Sequence, residues 1–171
     1  MAPPPETKFT TCEALALYAR KWAQFHLYGV STINSHKEKN IYIGCDCRGY
    51  HSGNAVTIRR TGSSKTGCSF KLKGSKNKKE SFWTLSVLEP KHNHGPSEEA
   101  SAHPTNCRLN EEQIEEVKRL AKGNIKPAQI LHQLKSSGSV ATNRTVYNSI
   151  KKIRKEHLDG KKPMEAVFSV L

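Results

Sequence analysis

Acidic charge is scarce in this sequence. Aspartate occurs only at Asp46 and Asp159, and 15 Asp and Glu stand against 28 Lys and Arg over 171 residues. A two-metal nuclease or transposase centre gathers several carboxylates around Mg²⁺. Two aspartates in unrelated contexts do not supply one, so the expectation is that the chain is not an enzyme. Long apolar runs are also missing: the longest uncharged apolar stretch, Ala14 to Ala19, has six residues, against the roughly 20 that cross a bilayer. The start, Met1-Ala-Pro-Pro-Pro-Glu6, has neither the basic nor the apolar region of a secretory signal. Cysteines number five, an odd count. Disulfides are rare in the reducing cell interior, where cysteine serves as a metal ligand or a small buried hydrophobe. The expectation is a soluble intracellular protein.

Positive charge is abundant, with a formal net value of +13. It forms two basic blocks, +7 over residues 45–95 and +6 over residues 108–171, separated by −2 over residues 96–107. Such a distribution favours a polyanion as partner. Aromatic residues make up 7%, and Trp22, Phe25, Phe70 and Trp83 fit core positions. A single-strand RNA reader usually displays aromatic rings for base stacking, so duplex DNA is favoured over RNA.

The periodicities divide the chain. Residues 1–9 are Pro-rich and read as disordered. Thr10-Thr-Cys-Glu13 has capping-box spacing, and Leu15, Tyr18, Ala19, Trp22 and Phe25 follow at helical intervals, giving a helix over 11–27 closed by Gly29. The period then becomes two in Ile41/Ile43/Cys45/Cys47, Val56/Ile58, Cys68/Phe70/Leu72 and Trp83/Leu85/Val87, the pattern of a small antiparallel sheet with one buried face. A further strand is expected at 29–36, and Lys73 to Lys79 read as a basic hairpin loop. The unit spans 10–95. Residues 96–107 have linker composition. Three helices then follow within 108–160: one capped by Asn110 and Gln113, one with Pro127 in its first turn, and one over 143–157. Residues 161–171 form an apolar tail. The fold class is therefore α+β: a helix and a small sheet, then a three-helix segment.

Chemistry concentrates on the sheet. Cys45 and Cys47 end one expected strand, Cys68 begins another, and His92-Asn-His94 follows the strand after that. Two thiolates and two imidazoles make a tetrahedral zinc set, and one Zn²⁺ per chain would staple three strands of a sheet poor in large apolar residues. Cys45 and Cys47 share a strand parity, so either could join Cys68, His92 and His94. Cys12 and Cys107 have no histidine partner at ligand spacing and read as core or free thiols.

Together these residues support a family likeness. Trp22-Ala, Tyr28-Gly29, Cys45-Asp-Cys-Arg-Gly-Tyr50, Arg60 to Phe70, Trp83-Thr-Leu-Ser-Val87 and His92-Asn-His94 resemble the WRKY and glial-cells-missing zinc-finger superfamily. The nearest likeness is to the far-red-impaired-response type DNA-binding domain of Mutator-like element transposases and the transcription factors derived from them. Leu109 to Gln113, Ile125 to Leu131, Val146 to Asn148 and Leu158 to Pro163 resemble the helical segment that precedes the catalytic domain of fungal-type transposases of this class. By that likeness the chain stops near where the catalytic domain would begin. The family pattern places its first ligand just before Asp-Arg-Gly, which favours Cys45 and leaves Cys47 in the place of a non-ligand Arg.

The resemblance implies that a strand enters the DNA major groove edge-on. Carried over by position, that strand is 29–36, making Thr32, Asn34, Ser35 and His36 groove candidates. Arg48, Arg59, Arg60, Lys65 and Lys71 surround the site and suit phosphate contacts. In the third C-terminal helix Arg144, Asn148, Lys151 and Lys155 recur on the face opposite Val146, Ile150 and Ile153, as a helix-turn-helix recognition helix requires. The expected function is zinc-dependent, sequence-preferring binding of double-stranded DNA in the nucleus, as a transposase-derived fragment or transcription factor. The alternative is a zinc-finger module that binds protein or RNA.

Overall fold

The computed structural model describes residues 2–50, 63–77 and 81–158, in two units, 1–106 and 107–171. The expected strand at Val56 and Ile58, the side chains of Arg59, Arg60, Lys78 and Lys79, and the tail 161–171 lie outside the described residues.

The first unit begins with β1 (Lys8–Phe9) and α1 (Cys12–Phe25). Thr11 caps the helix, its hydroxyl accepting the Ala14 N–H at 3.1 Å, one residue later than the spacing from Thr10 predicts. The far end closes before Gly29: Tyr28 N–H donates to the Ala23 carbonyl at 2.8 Å and Leu27 N–H to the Gln24 carbonyl at 3.0 Å. Leu27 has φ 61, so it holds the left-handed position that glycine usually fills. Leu15, Ala16, Ala19 and Ala23 form the buried stripe. Phe25, expected in the core, is 81% exposed; two residues past Ala23 at about 100° each, it lies on the far side of the helix.

Four longer strands follow: β2 (Val30–His36), β3 (Asn40–Cys45), β4 (Lys71–Lys76) and β5 (Trp83–Glu89). With β1 they make an antiparallel sheet of order β1-β5-β4-β3-β2. Ile41, Ile43, Leu72 and Leu85 pack with α1 into one core. The helix comes close to the sheet because Gly74 has no side chain. A Cβ there would lie 2.9 Å from Leu15 Cδ1 and 2.7 Å from Ile41 Cγ2. Register shifts between Thr32 and Asn34. This bulge puts Thr32 and Ser35 opposite Ile43 and Ile41, on the helix side, and Asn34 and His36 opposite Tyr42 and Asn40, on the other face.

Three sequence boundaries are corrected. Residues 2–9 are attached to the first unit rather than disordered: Pro4 is fully buried, Trp22 Nε1 donates to the Ala2 carbonyl at 3.2 Å, and Phe9 pairs with Trp83. An extended proline-rich segment shows no periodicity, yet here it is fastened at both ends, by Ala2 to Trp22 and by the Phe9 ring, 5.1 Å from that of Tyr18. Lys73 and Lys76 belong to β4 rather than to a loop, and Lys76 binds the Glu38 carboxylate. Residues 96–106 belong to the first unit and are not a linker; their contacts are given with the site.

The second unit contains α2 (Glu111–Lys122), α3 (Pro127–Ser136) and α4 (Asn143–His157). Asn110 and Gln113 form the expected capping box, and Pro127 opens α3. Val117, Leu120, Ile130, Leu134, Val146, Ile150 and Ile153 close a separate core. No helix among the described residues is long and apolar enough to cross a membrane.

Candidate metal centre

Three segments of the first unit deliver four side chains to one place. Cys45 is the last residue of β3, and its N–H donates to the Phe70 carbonyl at 3.3 Å. Cys68 lies three residues before β4, on a segment held by the Cys47 carbonyl, which accepts the Thr66 N–H at 2.8 Å and the Cys68 N–H at 3.4 Å. His92 and His94 follow β5. The residue between them fastens their turn to the Cys68 segment: Asn93 Nδ2 donates to the Thr66 carbonyl at 2.7 Å, and Thr66 Oγ1 donates to Asn93 Oδ1 at 3.0 Å.

The ligand atoms of Cys45, Cys68, His92 and His94 all lie within 4.8 Å of one another. Cys45 Sγ is 3.2 Å from His94 Nε2, and Cys68 Sγ is 3.4 Å from His92 Nδ1. One tetrahedral zinc with bonds of about 2.3 Å to sulfur and 2.0 Å to nitrogen separates such atoms by about 3.5 Å. The cluster could therefore hold a metal ion, and its donor chemistry suits zinc. The His94 Nδ1 lies 2.9 Å from the Gly95 carbonyl. Donation to that oxygen puts the proton on Nδ1 and leaves the Nε2 lone pair facing Cys45.

The surroundings are apolar. The His92 ring stacks on Phe70 at 4.1 Å and lies 4.2 Å from the Tyr28 ring, while the Tyr28 hydroxyl donates to the His94 carbonyl at 3.3 Å. Burial, reinforced by the neighbouring His94 ring, pushes His92 down to about 4, so its imidazole is neutral at pH 7 and retains a donor lone pair. Its Nε2 is buried without a hydrogen-bond partner among the described residues, and the ring's contact with Cys68 is through Nδ1. Burial pushes the Cys45 thiol up, well above the usual thiol range. Metal binding must displace that proton, and the Cys47 N–H, donating to Cys45 Sγ at 3.4 Å, is placed to stabilise the resulting thiolate.

Cys47 is not in this set of four. The strand ends at Cys45 and a turn follows, so the shared parity expected from alternation is broken. Cys47 is buried with its Sγ 3.6 Å from Asp46 Oδ1, in a smaller group with Cys45 and Asp46. Burial and the Asp46 charge both raise its thiol. Cys12 lies on α1, and Cys107 belongs to the second unit.

The polar candidates are distributed as follows. Thr32, Asn34, Ser35 and His36 are all exposed on β2, the edge strand. Arg48 is exposed, Lys65 Nζ donates to the Asp46 carbonyl at 2.7 Å, and Lys71 Nζ lies 5.1 Å from the Tyr42 ring centroid. Arg144, Asn148, Lys151 and Lys155 are exposed on α4, with Val146, Ile150 and Ile153 buried.

Sequence reasoning missed one group beside the cluster. His103, which has no distinctive local context, is 5% exposed, and its Nδ1 lies 2.9 Å from Asp46 Oδ2. Its partner is 57 positions away, so no local pattern could reveal the pair.

No family model matches the chain. It is 27% identical over 178 aligned positions to the PKS-NRPS hybrid synthetase cheA of Chaetomium globosum, an alignment covering 96% of this chain and 4% of that protein. The chain thus spans a small fraction of that relative's length. The crystal structure of AFT2 in complex with DNA aligns with a TM-score of 0.39 and 10% identity, over 80% of this chain and 91% of that one.

Proposed function

We propose that the chain is a zinc-dependent, sequence-preferring reader of double-stranded DNA and a binding protein rather than an enzyme. The observation that carries this reading is the exposed edge strand β2. It has no strand partner on its outer side among the described residues, and Thr32, Asn34, Ser35 and His36 project from its two faces. A strand offering polar groups on both faces suits edge-on entry into a groove of about 12 Å, with Asn able to pair with adenine and Ser or Thr with several base edges. Lys71 and Lys73, both on β4, and Arg48 supply positive charge for the phosphates. Zinc held by Cys45, Cys68, His92 and His94 would lock the strand ends and so fix the presentation of β2.

The motif likeness to far-red-impaired-response domains supports a transposase-derived fragment or a transcription factor acting in the nucleus. The test is selection from a random duplex pool with zinc-loaded protein, followed by binding of the enriched sequence against single-stranded DNA and structured RNA at one salt concentration. Enrichment of one motif, lost in Asn34→Ala with zinc content unchanged, is the expected result. Equal binding to all three nucleic acids would overturn the reading in favour of non-selective electrostatic binding, and binding to none in favour of a protein-interaction module. Six phosphate contacts would give a slope of log K against log salt of about −5.

A further inference from the structure

Residues 97–106 have the composition of a linker, yet they are fastened beside the metal cluster at three points. Ser97 N–H donates to the Leu27 carbonyl at 3.0 Å. Asn106 Nδ2 donates to the Tyr28 carbonyl at 3.1 Å and to the Ala100 carbonyl at 3.2 Å. Between them His103 turns inward, with Nδ1 2.9 and 3.1 Å from the two Asp46 oxygens and Nε2 2.8 Å from Ser97 Oγ and 3.3 Å from the Leu27 carbonyl.

Asp46 is the residue between the two thiols of the turn. Its Oδ1 lies 3.9 Å from Cys45 Sγ and 3.6 Å from Cys47 Sγ, and its N–H donates to the Gly29 carbonyl at 3.0 Å. Space for the pair is made at Gly29, where a Cβ would lie 2.3 Å from Asp46 Oδ2 and 2.6 Å from His103 Nδ1. A largely buried carboxylate without a partner is costly. Without His103, the Asp46 carboxylate would lose both its imidazole contacts and keep only the weaker ones to the two thiols, leaving its orientation unfixed. The Cys45–Cys47 turn would then lose the geometry that aims the Cys47 N–H at Cys45 Sγ.

We propose that His103 is a positioning residue of the metal centre, acting through Asp46, and that residues 97–106 form a latch holding the Cys45 turn in its metal-binding geometry. The inference rests on the reading of Cys45, Cys68, His92 and His94 as a metal site. Groups that orient a ligand from outside the coordination sphere are worth about 10- to 100-fold in metal affinity.

The test uses the full chain and its His103→Ala and His103→Gln variants, with His132→Ala in the second unit as control. Zn²⁺ affinity is measured by chelator competition, and Co²⁺ loading reports ligand geometry through its thiolate charge-transfer and d–d bands. His103→Ala should bind Zn²⁺ about 10- to 100-fold more weakly, with shifted Co²⁺ bands. His103→Gln, which retains a donor, should lose less, and His132→Ala should be unchanged. Affinities within twofold and identical Co²⁺ bands in all variants would overturn the proposal while leaving the metal site standing. A wild-type chain that binds neither metal would overturn both. If the variants fail to fold, side-chain NMR of the wild-type protein decides. The His103 Nδ1 proton should be protected from solvent exchange in the zinc-loaded form and exposed after chelation. The same protection in both forms would overturn the proposal.

Discussion

Cys45 and Cys47 differ by two positions, and the chemistry of the site turns on which of them faces Cys68. Cys45 is held by β3, lies 3.2 Å from His94 Nε2 and receives the Cys47 N–H. Cys47 lies past the strand end, against Asp46. Losing a structural ligand sacrifices much of a metal-binding free energy of about 10 kcal/mol, whereas trimming a small buried thiol costs about 1 kcal/mol. Cys45→Ser is therefore expected to abolish zinc retention, and Cys47→Ser to retain stoichiometric metal by elemental analysis. Retention in both variants would show that the two thiols substitute for each other, and the reverse result would move the site to Cys47.

Among the elements, β2 and α4 offer the two candidate nucleic-acid surfaces, for different reasons. β2 is exposed because it ends the sheet, and its bulge divides its polar side chains between two faces. The α4 face is exposed because the three-helix core needs only its Val146, Ile150 and Ile153 stripe. A basic outer face also arises on a helix that touches nothing but water. Replacing Lys151 and Lys155 together by Ala distinguishes these cases. If both contact phosphate, the slope of log K against log salt becomes shallower by about 1.8. An unchanged slope assigns the face to solvent.

At the scale of the molecule, the two units have separate cores, and the four candidate ligands all belong to the first. Chelation is therefore expected to disrupt residues 8–106 while α2, α3 and α4 remain helical. Circular dichroism together with amide NMR of the chelated chain checks this. An intact sheet without metal would mean that the α1 and sheet core suffices alone, and loss of all helical signal would mean that the second unit depends on the first.

Local patterns in the sequence determined much of this protein. The alternation of Ile41, Ile43 and Cys45, the helical spacing of Leu15 and Ala19, the Asn110 box and Pro127 each specify an element through neighbours a few residues apart, and the elements formed accordingly. The cluster of Cys45, Cys68, His92 and His94, which could hold a metal ion, was also legible, because thiols and imidazoles at strand ends are rare enough to stand out. Tertiary structure decided what depends on distant partners. It ended β3 at Cys45 and so separated two thiols of equal parity, and it drew the proline-rich start over Trp22. It also turned an apparent linker into a packed segment, because His103 finds Asp46 only once the chain has turned at Leu27 after α1 and Gly29 has left room for the pair. Periodicity records the face a side chain takes within its own element, while a contact across 57 positions exists only after the chain has folded.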